Sequence, residues 1–291
     1  MANRSIEAII APPTPHMVGD GFRVHGFIPG VPRLNFQRMD PFLVLDYNAK
    51  FYFPPSDVPK GVGVHPHKGF ETVTIAYKGS VAHHDSHGGG GVIHEGDVQW
   101  MTAASGLLHK EFHEEAFSKQ GGIFQMVQLW INLPAKDKQA KPKYQPIQAK
   151  DIKQYTLDGH AGTVGVIAGS YKGVEGPAHT FTPVNMFNTK LHKGGKANFS
   201  FPSEFTTAMI VIEGSISINN EKEAPTDHFV LMNNDGEDFM IEAREDAVIL
   251  VLSGQPIREP IAAHGPFVMN TREELIQAFE DFNQGKFGYL E

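Results

Sequence analysis

The chain has no cysteine among its 291 residues, which excludes disulfides and thiolate metal sites and leaves nitrogen and oxygen as the only metal ligands. No apolar run approaches the roughly 18 residues of a membrane span. Near the N-terminus the apolar stretch Ala8 to Ala11 is broken by Pro12 and Pro13 and is too brief for the core of a signal peptide. A soluble, non-exported, cytoplasmic protein without membrane association is the expectation. Basic residues are also in deficit, with 25 Lys and Arg against 33 Asp and Glu and a net charge of −8. Affinity for phosphate backbones needs clustered cations, so no direct nucleic-acid binding is expected.

What is abundant is turn chemistry. Thirty Gly and 20 Pro, in a chain that is 41% hydrophobic and 20% charged, favour a turn-rich globular fold over a helical one. The fold class expected is all-β, in two domains or one large β architecture. Short β-rich runs recur at Pro41 to Leu45, Thr72 to Tyr77, Gly91 to His94, Val98 to Thr102, Phe124 to Asn132, Thr163 to Ala168, Thr207 to Glu213, Ser215 to Asn219 and Ala247 to Ser253. Gly, Pro, Asn and Asp clusters separate them, the pattern of sandwiches and barrels.

A weak internal repeat divides the chain. The run Thr74 to Val81, an apolar strand turning at Gly79-Ser80, resembles Met209 to Ile216, which turns at Gly214-Ser215, at an offset of 135 residues. Two related β-barrels in tandem follow, covering 1–135 and 147–291, with the charged, Pro-bearing segment 136–146 as linker. One helix is expected over 271–284. Thr271 and Glu274 form a capping box, Leu275, Phe279 and Phe282 make an apolar stripe that covers a barrel face, and Gly285 stops it.

Eight of the fifteen histidines fall between His65 and His113. Four residues form two pairs spaced i, i+2, His65 with His67 and His109 with Glu111. In a strand such pairs project from one face about 6.7 Å apart, so two facing strands bring all four to one metal ion. Alternation turns Val62, Val64 and Pro66 away from the histidines, and Leu108, Lys110 and Phe112 away from His109 and Glu111. Each histidine offers a neutral ring nitrogen, and Glu111 an anionic oxygen. His113 lies one repeat beyond Glu111 and reads as a neighbour of the site or as solvated. His83, His84, Asp85 and His87 read as a solvated hairpin tip before the glycines that follow.

The segments His65-Pro-His67-Lys-Gly-Phe-Glu71-Thr-Val-Thr, Gly96 to Thr102, Gly106-Leu-Leu-His109-Lys-Glu111, Gln128 to Pro134, Gly254 to Pro260 and Gly265 to Asn270 together resemble the pirin family of the cupin superfamily, over nearly the whole chain. The resemblance implies two cupin barrels, a bicupin, with one iron in the first held by His65, His67, His109 and Glu111. Fe(II) is the implied metal. Such ligands bind nickel, copper and zinc more tightly, so a preparation can carry those, or manganese. Glu71 stands where many other cupins place their carboxylate ligand, but in the pirin pattern it becomes a neighbour of the site. Gln99 is a second such neighbour, its amide able to orient a ligand.

The resemblance further implies cleavage of flavonols such as quercetin with O₂ and release of CO, as in quercetin 2,3-dioxygenases, with Glu111 both ligand and proton acceptor. Phe70, Trp100 and Met101 are candidates for an apolar slot. A different class competes: an iron-containing, redox-responsive regulator that binds a protein partner without turnover. A pocket able to hold a bicyclic ligand discriminates between them. A purely structural metal is disfavoured in a chain with ample core. Two departures from the family pattern affect the rim: Ala104 replaces the usual Gly, and Phe112 to Glu115 replaces a short run to a proline. The second barrel is expected to be empty, because the repeat offset puts Ser200 and Pro202 opposite His65 and His67, and Arg244 and Asp246 opposite His109 and Glu111.

Overall fold

The computed structural model describes residues 3–291 and divides into two compact units. One takes Pro13–Ala149 and Ile257–Glu291; the other takes Lys150–Pro256 with the segment ending at Pro12. Both have the same plan. In the first, a seven-stranded antiparallel sheet runs Lys143–Ile147, Val98–Thr102, Phe70–Lys78, Gly122–Asn132, Phe42–Phe53, Phe22–Ile28, His16–Val18. A four-stranded sheet runs Gly61–His67, Leu107–His113, Val81–Asp85, Gly90–Ile93.

In the second unit the seven strands are Ile6–Ile10, Phe229–Met232, Thr206–Glu213, Ala247–Gly254, Val184–Leu191, Gly162–Ala168 and Gln154–Thr156. Its four-stranded sheet runs Lys196–Ser200, Asp238–Ala243, Ser215–Ile218, Lys222–Pro225. Side chains from both sheets, among them Phe199, Phe239, Phe187, Met209 and Val251, merge into one core, as facing inner sheets require. The all-β, two-barrel architecture expected from the repeat is the one found.

The tails depart from the expected boundaries. Ile6–Ile10, assigned by sequence to the first barrel, pairs with Phe229–Met232 in the second unit. The supposed linker 136–146 ends inside a strand, Lys143–Ile147, that pairs with Val98–Thr102. Each segment covers a sheet edge that would otherwise present bare backbone groups. Such non-local pairing leaves no trace in a linker-like composition. The helix Arg272–Asn283 has the expected capping box from Thr271 and Glu274 and stops before Gly285, which takes φ +73°. It belongs to the unit of Pro13–Ala149 and not to the second barrel, packing Leu275, Ala278 and Phe279 on Phe267, Met269 and Phe287. Among the described residues no helix is long and apolar enough to cross a membrane.

Candidate metal centre

His65 and His67 leave the strand Gly61–His67, and His109 and Glu111 leave its antiparallel neighbour Leu107–His113, with His109 opposite His65. Between His109 and Glu111 the register slips, so that Glu111 lies opposite Val62 and the first strand carries an extra residue. A bulge of this kind bends a strand and re-aims its side chains. Along Leu107–His113 the predicted alternation holds, with His109, Glu111 and His113 buried and the residues between them partly exposed. Along Gly61–His67 it holds only in part. Val64 is exposed, but Val62, past the bulge, lines the same cavity as the histidines.

Nitrogens of His65, His67 and His109 all lie within 4.8 Å of one another. His65 donates Nδ1–H to the Gly63 carbonyl at 2.8 Å, which frees Nε2 as a lone-pair donor. His67 Nδ1 and both ring nitrogens of His109 are buried without a hydrogen-bond partner. Burial, and then the neighbouring imidazoles, hold His67 and His109 well below the ordinary histidine range, so both rings are neutral, the form that ligates. Buried nitrogens without partners are rare in proteins. Here they converge, which is what a dication requires.

Glu111, the fourth ligand expected, is buried on the strand of His109 and lines the same cavity as His65 and His67, but its carboxylate is not among the atoms that cluster within 4.8 Å. Gln128 donates Nε2–H to Glu111 Oε2 at 2.9 Å, while Oε1 has no partner. Burial pushes the carboxyl up to about 7, against the lowering effect of the hydrogen bond from Gln128 and of the nearby Thr74 hydroxyl. Gln128 has no place among the residues singled out by the sequence. It occurs in the matched run Gln128 to Pro134, but only the pairing of Gly122–Asn132 with Phe70–Lys78 shows that it faces the site.

The site opens into a cavity of about 400 Å³, within the range of small-molecule pockets. Its walls are apolar, with Phe22, Val24, Val62, Met126 and Trp130 prominent, and its polar lining is Asp46, His65, His67, Glu111 and Gln128. The Trp130 ring stands edge-on to His67 at 5.0 Å and stacks on Phe70 at 4.1 Å.

Several expectations need correction here. On the strand Phe70–Lys78, Phe70 meets His67 at 5.1 Å and Thr74 meets Gln128, so the even positions face the site. Glu71 therefore projects from the opposite face, accepts from Thr102 Oγ1 at 2.7 Å, and is not a neighbour of the histidines. Burial pushes it up to about 7. Trp100, paired with Val73, shares that far face. Phe70, Trp100 and Met101 do not line the cavity; Trp130 and Phe22 do. Gln99, opposite Thr74, is on the site face, fully buried, with both amide atoms unpartnered.

His83 is not solvated. It is buried opposite Glu111, bonds Tyr144 Oη at 2.7 Å, and is lowered by desolvation to about 4. His113 packs among Phe22, Phe53, Phe117 and Phe124 and donates to the Gly21 carbonyl, a core role. Glu114, in the unusual segment after Glu111, caps the short helix Glu115–Gln120. Ala104 takes φ +38°, a conformation that costs a Cβ-bearing residue and explains glycine in the family pattern.

In the second unit the offset of 135 does not persist to the fourth position. Ser200 pairs with Asp238 and not with Arg244, while Arg244 and Asp246 lie past the strand end, Arg244 pairing with Glu223. Phe187, Phe199, Phe201 and Phe239, with rings 5.3–6.3 Å apart, line a cavity of about 490 Å³ there and offer no metal-ligating side chain.

Comparison with known proteins agrees with this architecture. The family model "Pirin" matches residues 21–131, and "Pirin C-terminal cupin domain" matches residues 186–288. A crystal structure of quercetin 2,3-dioxygenase from Acinetobacter baumannii superposes with a TM-score of 0.93 at 47% identity, covering 100% of both chains. A Pseudomonas aeruginosa protein provisionally named a quercetin 2,3-dioxygenase is 47% identical over 274 residues, 94% of each chain. Human Pirin is 35% identical over 276 residues, 93% of this chain and 90% of its own.

Proposed function

Because this chain belongs to the pirin family, with the cupin fold in both units, we propose that it is a metal-dependent dioxygenase of flavonols such as quercetin. One observation carries this reading: His65 and His67 of the three-histidine cluster, with Glu111, border a cavity of about 400 Å³ with apolar walls, room for a flat polycyclic ligand as well as O₂. A site serving only as a redox reporter or a structural metal needs no such space.

His65, His67, His109 and Glu111 would hold the metal, Fe(II) on the family pattern. When bound, such a dication supplies a Lewis-acidic, redox-active centre with room for two small ligands. The protein's own work is positional. Phe22, Val24, Met126 and Trp130 sandwich the flavonol and exclude water. Gln128 fixes Glu111 through Oε2, which leaves Oε1 to take the proton of the flavonol 3-hydroxyl as O₂ adds across the heterocycle and a ring carbon departs as CO. Neutral His67 and His109 add no positive charge to repel the metal.

The test is oxygen uptake with CO detection, using quercetin and protein stripped of metal and reloaded anaerobically with Fe(II). Metal-dependent CO release, lost in Glu111→Gln, is the expected result. No turnover at confirmed iron occupancy would overturn the enzyme reading and move the weight to redox-dependent binding of a protein partner.

A further inference from the structure

The cavity holds a second carboxylate that the chemistry above does not use. Asp46 lines it from the strand Phe42–Phe53 and is the cross-strand partner of Gln128, the residue that holds Glu111. Neighbouring strands are about 4.8 Å apart, so Asp46 stands one strand beyond Gln128, where the other lining is Val18, Phe22, Val24 and Met126. No described protein group donates a hydrogen bond to its carboxylate, and His16 is the neighbouring group that acts on it electrostatically. Burial pushes it up to about 6, offset in part by His16.

On its other flank Asp46 pairs with Gly26. A Cβ at that position would stand 3.3 Å from Asp46 Oδ1 and 3.5 Å from His16 Cε1, so glycine keeps the space beside the carboxylate open. A partly buried carboxylate that lines an apolar cavity and has no protein donor is left open to a donor brought by a ligand.

We propose that Asp46 is a second polar anchor of the cavity, accepting a hydrogen bond from a phenolic hydroxyl other than the one that gives its proton to Glu111. It thereby selects polyhydroxylated aromatic substrates over those with a single hydroxyl. The proposal rests on the flavonol reading for its substrate class, and on the cavity geometry alone for its residue. Asp46 is a specificity-determining residue, not a proton-transfer group.

The experiment is calorimetric titration of the anaerobic, Fe(II)-reloaded protein with two probes, quercetin and 3-hydroxyflavone, which lacks every hydroxyl but the 3-hydroxyl. The wild-type protein is expected to bind quercetin at least tenfold more tightly, the scale of one hydrogen bond to a charged group. Asp46→Leu collapses that ratio towards one while 3-hydroxyflavone affinity moves by less than threefold. Asp46→Asn keeps the shape and an acceptor oxygen, and lowers the ratio only in part, which covers the case where the leucine variant fails to fold. A wild-type ratio preserved in both variants overturns the proposal, as does a wild-type protein that binds neither probe or shows no preference. CO release measured in parallel separates the two claims. An Asp46-dependent ratio without turnover sinks the dioxygenase reading alone, and turnover with an Asp46-independent ratio sinks this inference alone.

Discussion

Gln128 and Glu111, on strands of two different sheets, meet through one hydrogen bond of 2.9 Å from the amide to Oε2. The bond spends one carboxylate oxygen on protein and leaves the other bare. Gln128→Leu removes it and leaves a buried Glu111 free to rotate. Metal affinity, measured by competition against a chelator, is expected to fall 10- to 100-fold, the usual effect of losing a group that orients a metal ligand. Unchanged affinity would mean that Glu111 is not held in place by Gln128.

His67→Ala is expected to lower metal occupancy and oxygenase activity together, since it deletes one of three convergent nitrogens. Ser200→Ala, at the repeat-related position of the second unit, should change neither. Metal analysis by mass spectrometry beside the CO assay reads both, and a His67 variant with full metal and turnover would contradict the ligand set.

Asp281 links the C-terminal helix to the strand ends beside the site, accepting from Lys68 at 2.9 Å, Lys286 at 2.8 Å and Gln277 at 3.0 Å. Burial raises this carboxyl, but the three donors outweigh it and hold it below the usual range. A depressed native value contributes stability that is complete above the unfolded value, about 3.9 for Asp, and is lost as pH falls below it. Thermal stability should therefore begin to fall near about pH 5 and go on falling below about pH 3. Asp281→Asn should flatten part of that decline and cost about 2–3 kcal/mol near neutrality, where Lys68 is left without its carboxylate. Parallel melting profiles for the two proteins would refute the assignment.

Ala104 at φ +38° invites the reverse experiment. Ala104→Gly relieves the Cβ and is expected to raise stability by about 0.5–1 kcal/mol. Denaturant titration reads the change. Destabilisation would show that the methyl group's packing, fully buried, outweighs the backbone strain.

The convergence of three histidines was legible because a two-residue period is local: bringing His65, His67 and His109 together, with Glu111 on the same strand face as His109, needed only the assumption of extended chain. The strands of the repeat, the capping box of Thr271 and the all-β class were legible for the same reason. Facing was not. Whether Trp100 or Trp130 reaches the cavity depends on which strand neighbours which, and the pairing of Gly122–Asn132 with both Phe70–Lys78 and Phe42–Phe53 puts Trp130, Gln128 and Asp46 on the site side. Glu71 was misplaced because its parity relative to Thr74 decides its side, and a motif match carries no parity. Val62 was misplaced because a bulge two residues before His65 has no sequence signature. His83 looked like part of a polar tip, but cross-strand contact with Glu111 buries it.

The crossed tails bear on how this chain can be dissected. A fragment ending at Ala149 would carry Ile6–Ile10, a strand whose sheet lies in the missing half. It would also lack Asp281, the partner of Lys68, and Val268, whose carbonyl accepts from the buried Lys138 ammonium at 3.1 Å together with that of Gly69. Gly69 and Lys68 directly follow His67. Proteolysis or truncation within the last 35 residues, which begin at Ile257, would therefore damage a centre whose four candidate ligands all precede residue 112.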